Sequence, residues 1–251
     1  MFLPRPKIHE RKLKDVIKRW IFLVFLNVLS PLIFTVLFWR SNFSNIKLIA
    51  RLFSKKSIKC EATFTNEEIL SSIWNGPVGL QYKDAVEYQF AEGYCSSATT
   101  RSVLQSMPIP DIILPEPKYA PSTAENFALN IDSSTQNRTS TEARFYVSYE
   151  SFVDDLKKSN DPKYRVAVNF LRSSLFGLQG FLPHQLLVGF MGGHFSPIIG
   201  YHDKSNSVCI FDVNHNYSCY LVDATRLYDA IAAVDITSGK SRALIVTEIL
   251  N

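Results

Sequence analysis

The sequence predicts helices and an antiparallel β-hairpin combined in one chain, behind an apolar N-terminal helix. Three observations carry that expectation. First, Gly193-His194-Phe195-Ser196-Pro197-Ile198-Ile199-Gly200-Tyr201 and Val208-Cys209-Ile210-Phe211-Asp212-Val213 read as two apolar strands either side of a polar turn, residues 202–207. Second, Gly93 breaks the chain before Tyr94-Cys95, and the small residues Ser96-Ser97-Ala98-Thr99-Thr100 suit the opening turns of a buried helix that continues to Val103 and Leu104. Third, residues 20–39 carry no charge, and about 20 apolar residues match the hydrocarbon thickness of a bilayer for a single helix.

Charge divides the chain in two. Residues 1–60 hold thirteen Lys and Arg against Glu10 and Asp15, a balance of +11, whereas residues 61–251 hold fourteen against twenty-one acids, or −7. We therefore expect a basic membrane-anchor segment over 1–60 and one acidic globular domain over 61–251. At 251 residues and 46% hydrophobic content the chain is long enough to bury a full core. Nucleic acid is not an expected partner, because no basic stripe or aromatic–basic interleaving accompanies the folded part.

Within the anchor, Trp20 and Trp39 stand at the ends of the span, where amphipathic rings favour the headgroup level. Pro31 predicts a kink that transmembrane helices tolerate. Phe38-Trp39-Arg40 is unsuited to signal-peptide cleavage, so an uncleaved anchor is expected. Seven basic residues precede the span and six follow it by Lys59, a balance that leaves its orientation and the side of the globular domain open. Ile46, Ile49, Leu52 and Phe53, at helical spacing among basic residues, suit the surface of an anionic membrane.

Beyond Cys60, Thr65-Asn66-Glu67-Glu68 reads as a helix start with carboxylates in its first turn. Residues 74–79 read as a loop. Residues 107–145, rich in Pro, Ser, Thr and Asn, read as loop around one short helix near 123–130. Residues 175–191 form an apolar excursion, a lid or membrane-facing loop on one reading and core packing on another. Asp223 to Ala233 is helix-like, and a turn at Ser238-Gly239-Lys240 separates Asp235 from Arg242.

The chemistry starts from the hairpin. An apex at Asp203 sets His194 across from Asp212, within side-chain reach on one face. A carboxylate beside an imidazole fixes its tautomer and stabilises its charged form, which is the orienting half of a nucleophilic triad. Cys95 supplies the nucleophile, with its thiolate favoured at a helix N-terminus. Gln89, before the Gly93 bend, offers an amide that joins the Cys95 backbone N–H as a second donor to a tetrahedral oxyanion. Taken singly, Cys95 reads as a small buried hydrophobe, His194 as a satisfied core histidine and Asp212 as a turn former. Together, Gln, Cys, His and a carboxylate fall in papain-like order.

The run Gln89…Tyr94-Cys95, the run Gly193 to Tyr201 and Asp212-Val213 resemble the phytochelatin synthases, over about Tyr82 to Glu248, and among them the short single-domain prokaryotic members. The resemblance implies a papain-like α+β fold, with helices around the nucleophile and an antiparallel sheet carrying His194 and Asp212. It implies attack by Cys95 on the Cys–Gly bond of glutathione, loss of glycine, and transfer of the γ-glutamylcysteinyl thioester to glutathione or water. His194 would be the base, Asp212 its orienting acid, and Gln89 part of the oxyanion hole. Asp235 and Arg242 would hold the γ-glutamyl end, with Gly193 and Ser96 also in the substrate site. A surface ion pair is the plainer reading of Asp235 and Arg242.

Departures from the pattern also bear on function. After Asp212-Val213 the basic residues and double proline of the family are replaced by Asn214-His215-Asn216-Tyr217-Ser218-Cys219-Tyr220, which weakens the acceptor site and favours hydrolysis. Metal is expected only as substrate, Cd²⁺ carried as a glutathione thiolate. The four cysteines show no Cys-x-x-Cys spacing, so no zinc site is expected, and the resemblance implies no resident cofactor. A homodimer is left open. The second functional reading is a catalytically silent, membrane-tethered relative that binds a γ-glutamyl thiol.

Overall fold

The computed structural model describes residues 13–40, 57–119, 122–145, 148–178, 180, 182–235 and 238–250. Six antiparallel strands form a single sheet in the order β1-β6-β2-β3-β4-β5. They are β1 (Thr139–Arg144), β2 (Tyr164–Leu171), β3 (Gly193–His202), β4 (Ser207–Phe211), β5 (Cys219–Asp223) and β6 (Leu244–Ile249). The helices are α1 (Leu13–Arg40), α2 (Glu67–Trp74), α3 (Pro77–Tyr82), α4 (Cys95–Gln105), α5 (Ala124–Ser134), α6 (Tyr149–Lys158), α7 (Ser173–Phe176), α8 (Pro183–Met191) and α9 (Ala224–Ile231). The chain is thus of mixed α and β type with an antiparallel sheet, the arrangement a papain-like fold requires.

Helices cover both faces of the sheet, which is why β3 and β4 read as apolar runs rather than alternating ones. Alternation along β2 divides the core. Val166, Val168 and Phe170 turn to the face under α6 and α9, where they meet Ile198, Ile210, Leu227 and Leu244. Ala167 turns to the face under α4 and α5, where Val103, Leu104, Phe127 and Phe195 close around it. Leu70, Trp74, Val78 and Tyr82 of α2 and α3 pack on Ile199, Cys209, Phe211 and Leu221. Each such side chain contributes about 1.5–3 kcal/mol when taken fully from water. Ile58, on a short 3-10 turn at 58–60, is also buried in the core beside Phe152 and Tyr220.

Several sequence expectations change. Of residues 74–79, expected as loop, 77–79 open a helix that runs to Tyr82, because Pro77 at the first helical position gives up an N–H the helix does not use. The stretch 107–145 holds an eleven-residue helix, α5, and an edge strand, β1. The helix near 123–130 was expected and runs on to Ser134; the strand was concealed by its polar composition. Thr139 and Thr141 hydrogen-bond the Asp132 carboxylate of α5 instead of exposing their hydroxyls. The excursion 175–191 is α7 and α8, and α8 packs on α1. There the Asn27 Oδ1 accepts from the His184 backbone N–H at 3.4 Å and lies 2.9 Å from His184 Nδ1.

The apolar N-terminal segment is a helix of 28 residues with Pro31 inside it. Most of its described apolar side chains, among them Trp20, Val24, Val28, Leu32 and Trp39, are exposed, while Leu29 and Ile33 are half-buried. Several of its side chains lie outside the described residues, and among the described residues no helix is long and apolar enough to cross a membrane. Ile46, Ile49, Leu52 and Phe53 also lie outside the described residues.

The hairpin register departs from the expected one. The turn is centred past Asp203, with a 3-10 segment at Asp203–Ser205 and Asn206 left-handed at φ 51°. Next to the turn Gly200 pairs Cys209, and beyond a β-bulge Ile198 pairs Ile210. Continued without the bulge, the turn-side register would set Asp212 opposite Pro197, on the face away from His194. The extra residue, Ile199, brings Asp212 opposite Ser196, two residues from His194 and on its side of the sheet. His194 and Asp212 are therefore diagonal neighbours rather than direct partners, still within side-chain reach.

Candidate active site

Cys95 opens α4, just past Gly93, whose φ of 87° no other residue type adopts without strain. A Cβ at Gly93 would also collide with the ring of Tyr119, which lies over this turn. The half-buried Cys95 packs between the two clusters on its side of the sheet. Its thiol lies in reach of the His194 imidazole and the Phe195 backbone N–H, both of which act to lower its pKa.

The buried His194 turns Nε2 to the Asp212 Oδ1 at 2.6 Å. That leaves Nδ1 for the cysteine. Phe170 meets the imidazole edge-to-face at 5.6 Å between centroids, which fixes its plane. Asp212 is fully buried and held on every side: the Asn214 N–H donates to Oδ1 at 2.8 Å, Tyr220 Oη lies 3.5 Å from Oδ2, and the Asp212 N–H donates to the Ser218 carbonyl.

Electrostatics follow from this geometry. Burial alone pushes the His194 pKa down, but the Asp212 charge and hydrogen bond, with Cys95 on the other side, raise it to about 9. Burial alone pushes the Cys95 thiol up; the His194 hydrogen bond and charge, the Phe195 N–H and the Arg172 charge outweigh it, so its pKa lies below the ordinary thiol value. The two shifts describe a thiolate–imidazolium pair, the activated form of a cysteine nucleophile.

Asp235 and Arg242 also come together, with Arg242 Nη1 4.0 Å from Asp235 Oδ1. They are buried, not a surface pair. Arg242 Nη1 donates to Asn169 Oδ1 at 3.2 Å and Nη2 to the Met191 carbonyl at 2.7 Å, while Nε is buried without a partner. Burial lowers the Arg242 pKa to about 10 against the pull of Asp235 and Cys95, which places the guanidinium in the electrostatic range of the nucleophile. Gly193 has its reason here: a Cβ would collide with Arg242 Nη1.

Gln89 is tied beside the site, its backbone N–H donating to the Val213 carbonyl at 2.7 Å, and its Oε1 is buried without a partner. Ser96 is buried in the first turn of α4. Among the described residues no three His, Cys, Asp or Glu side chains cluster as a metal site.

Comparison with known protein families places a match on this half of the chain. The family model described as phytochelatin synthase matches residues 123–244. Those residues are similar to the phytochelatin synthase family. The match takes in His194, Asp212, Asp235 and Arg242, whereas Cys95 and Gln89 precede it, so the nucleophile rests on geometry. A similar protein is the "Glutathione gamma-glutamylcysteinyltransferase" of Schizosaccharomyces pombe (strain 972 / ATCC 24843), 30% identical over 113 residues. That alignment takes in 44% of this chain and 24% of the relative, so the chain spans about a quarter of the length of the protein it matches.

Arg172 and Asn169 went unread in the sequence. Arg172 follows β2 directly, its charge acts on Cys95, its guanidinium lies 5.5 Å from the Tyr217 ring centroid, and Nη1 is buried without a partner. Lys59 Nζ also lies near that ring, 4.5 Å from its centroid. A cation at a strand end carries no local signal of its target. Only the pairing of β2 with β3 brings it to the histidine.

Proposed function

We propose that this protein is a glutathione γ-glutamylcysteinyltransferase with glutathione hydrolase activity. The observation that carries the reading is the convergence of Cys95, His194 and Asp212. The Cys95 thiolate attacks the carbonyl of the Cys–Gly bond of glutathione. The Cys95 N–H and the Gln89 side chain, its amide turned to present N–H, hold the oxyanion. The His194 imidazolium gives its proton to the leaving glycine amine, and a γ-glutamylcysteinyl thioester remains. His194, now neutral, takes a proton from water or from an acceptor amine as that nucleophile attacks the thioester, and the Cys95 thiolate is regenerated.

Asp235 and Arg242 match the γ-glutamyl end, the carboxylate for its ammonium and the guanidinium for its carboxylate. Gly193 leaves room for that arginine, and Ser96 flanks the nucleophile. Arg172 and Lys59, both beside the Tyr217 ring, are cations available to an acceptor's carboxylates where the segment 214–220 lacks basic residues. Cd²⁺ enters as a glutathione thiolate complex, as substrate rather than resident metal.

Glutathione added to purified protein should yield γ-glutamylcysteine and free glycine, and Cys95→Ser should abolish both. Product formation unchanged in that variant would refute the assignment. Longer peptides on addition of Cd²⁺ would add synthase activity to hydrolysis.

We further propose that residues 20–39 anchor the protein in a membrane. The reading is supported by the uncharged run between Trp20 and Trp39, its exposed apolar side chains and its basic flanks. Carbonate extraction of membranes should leave the full chain in the pellet, and its release would exclude an integral anchor. Protease protection would then assign the side of the catalytic domain.

A further inference from the structure

Two of the four cysteines take no part in this chemistry and lie against each other. Cys209 in β4 and Cys219 at the start of β5 are free thiols with their Sγ atoms 3.5 Å apart. Cys209 pairs Leu221 and Phe211 pairs Cys219 across the two strands, so the sulfurs meet on the diagonal. Both belong to the core under α2, and the Trp74 indole N–H donates to the Cys219 sulfur at 3.0 Å. The pair also brackets Asp212. The segment between the two cysteines ends β4, carries the carboxylate on His194 and returns into β5, with the Asp212 N–H to Ser218 carbonyl bond closing its base.

We propose that Cys209 and Cys219 are a redox site, converted by a small hydroperoxide into a disulfide that displaces Asp212 and switches the active site off. The chemistry balances with hydrogen peroxide as the one co-reactant. The Cys219 sulfur attacks the O–O bond, giving a sulfenic acid and one water. The Cys209 sulfur then displaces the sulfenic oxygen as a second water, and each thiol gives up one hydrogen. Access favours Cys219 as the first to react: β5 is an edge strand, Cys219 is its first residue, and its exposure is 9%, against 0% for Cys209.

Closing the bond draws the sulfurs from 3.5 Å to about 2.0 Å. The hairpin must tighten around its tip, where Asp212 holds a 2.6 Å contact to His194. Misplacement of a catalytic group by about 1 Å costs on the order of 100-fold in rate. The regulatory half of this inference rests on the triad proposed above; the disulfide itself does not.

The test uses the full chain with Cys60→Ser, which removes the exposed thiol. After a brief peroxide dose and alkylation under denaturing conditions, peptide mass mapping should find the segment holding Cys209 and Cys219 lighter by two hydrogens, unalkylated, and restored by dithiothreitol. Trp74 emission should fall with the same dose dependence. Before that restoration, Cys95 should alkylate about 100-fold more slowly in the folded protein, the factor expected for a displaced Asp212, and glutathione cleavage should drop in step. Cys209→Ala and Cys219→Ala should both keep Cys95 reactive at that dose. No disulfide at any dose that leaves the fold intact would overturn the proposal, as would equal loss of Cys95 reactivity in both alanine variants. A disulfide that leaves Cys95 alkylation unchanged would overturn the switch. A reduced protein that cleaves no glutathione would count against the proposed function, while the disulfide and alkylation readouts would still decide the redox site.

Discussion

Replacing Asp212 with Asn keeps the shape of the side chain and removes the charge that sets the protonation of the site. His194 is held at about 9 instead of 6.5 although burial works against it, a rise worth about 3 kcal/mol in favour of the imidazolium. With Asn in place, burial is unopposed by that carboxylate, so His194 should be neutral at neutral pH and Cys95 should lose its cationic partner. The thiolate fraction at neutral pH should then fall, because the His194 hydrogen bond and charge are the largest influences that lower the Cys95 pKa. The assay is the rate of Cys95 alkylation by iodoacetamide across acidic to alkaline pH, read by site-resolved mass spectrometry in a Cys60→Ser background. The parent protein should reach its plateau below the ordinary thiol range; Asp212→Asn should reach it above. Superposable profiles would refute the reasoning, because the Asp212–His194 contact would then have no part in activating the cysteine.

Other outcomes follow from the same geometry. Gly193→Ala sets a Cβ against Arg242 Nη1 and should raise KM for glutathione by roughly tenfold, about 1.4 kcal/mol, with a smaller change in kcat. Asp235→Asn should bring KM for glutathione close to KM for an analogue lacking the γ-glutamyl ammonium, because that carboxylate is the assigned partner of the ammonium; steady-state kinetics on the two substrates checks this. Ser106→Ala removes the acceptor of the buried Arg165 Nε at 2.8 Å and should lower unfolding stability by about 1–3 kcal/mol while kcat stays unchanged. The sign of the pH effect on stability is also set. His194 has a folded pKa raised to about 9, so its contribution is complete below about 6.5 and is lost as pH rises through about 9. Urea unfolding should accordingly show the gap between parent and Asp212→Asn narrowing on the alkaline side.

The parts legible in the sequence were those marked by local chemistry. Gly93 before Cys95, the small residues behind it and the apolar runs around residues 202–207 announced α4 and the β3–β4 hairpin. The pairing of His194 with Asp212 was legible too, but by the wrong route. A bulge at Ile199 has no composition of its own, and the register it sets was invisible. Thr139–Arg144 read as loop because its threonines are satisfied by Asp132, eight or so residues upstream in another element. The burial of Asp235 and Arg242 was equally hidden, since a turn-spanning acid and base look alike inside or outside; Arg242 meets Met191 of α8, Gly193 of β3 and Asn169 of β2, all drawn in from elsewhere. Arg172 reaches the nucleophile only because β2 and β3 pair, a long-range fact that no window of sequence holds.

The most direct measurement is the mass of the intact protein after mixing with glutathione and quenching in acid within the first turnovers. One γ-glutamylcysteinyl group should be found on the chain, mapped to Cys95, labile to hydroxylamine and absent from Cys95→Ser. Glycine release without any acyl group on Cys95, continuing in that variant, would contradict the account.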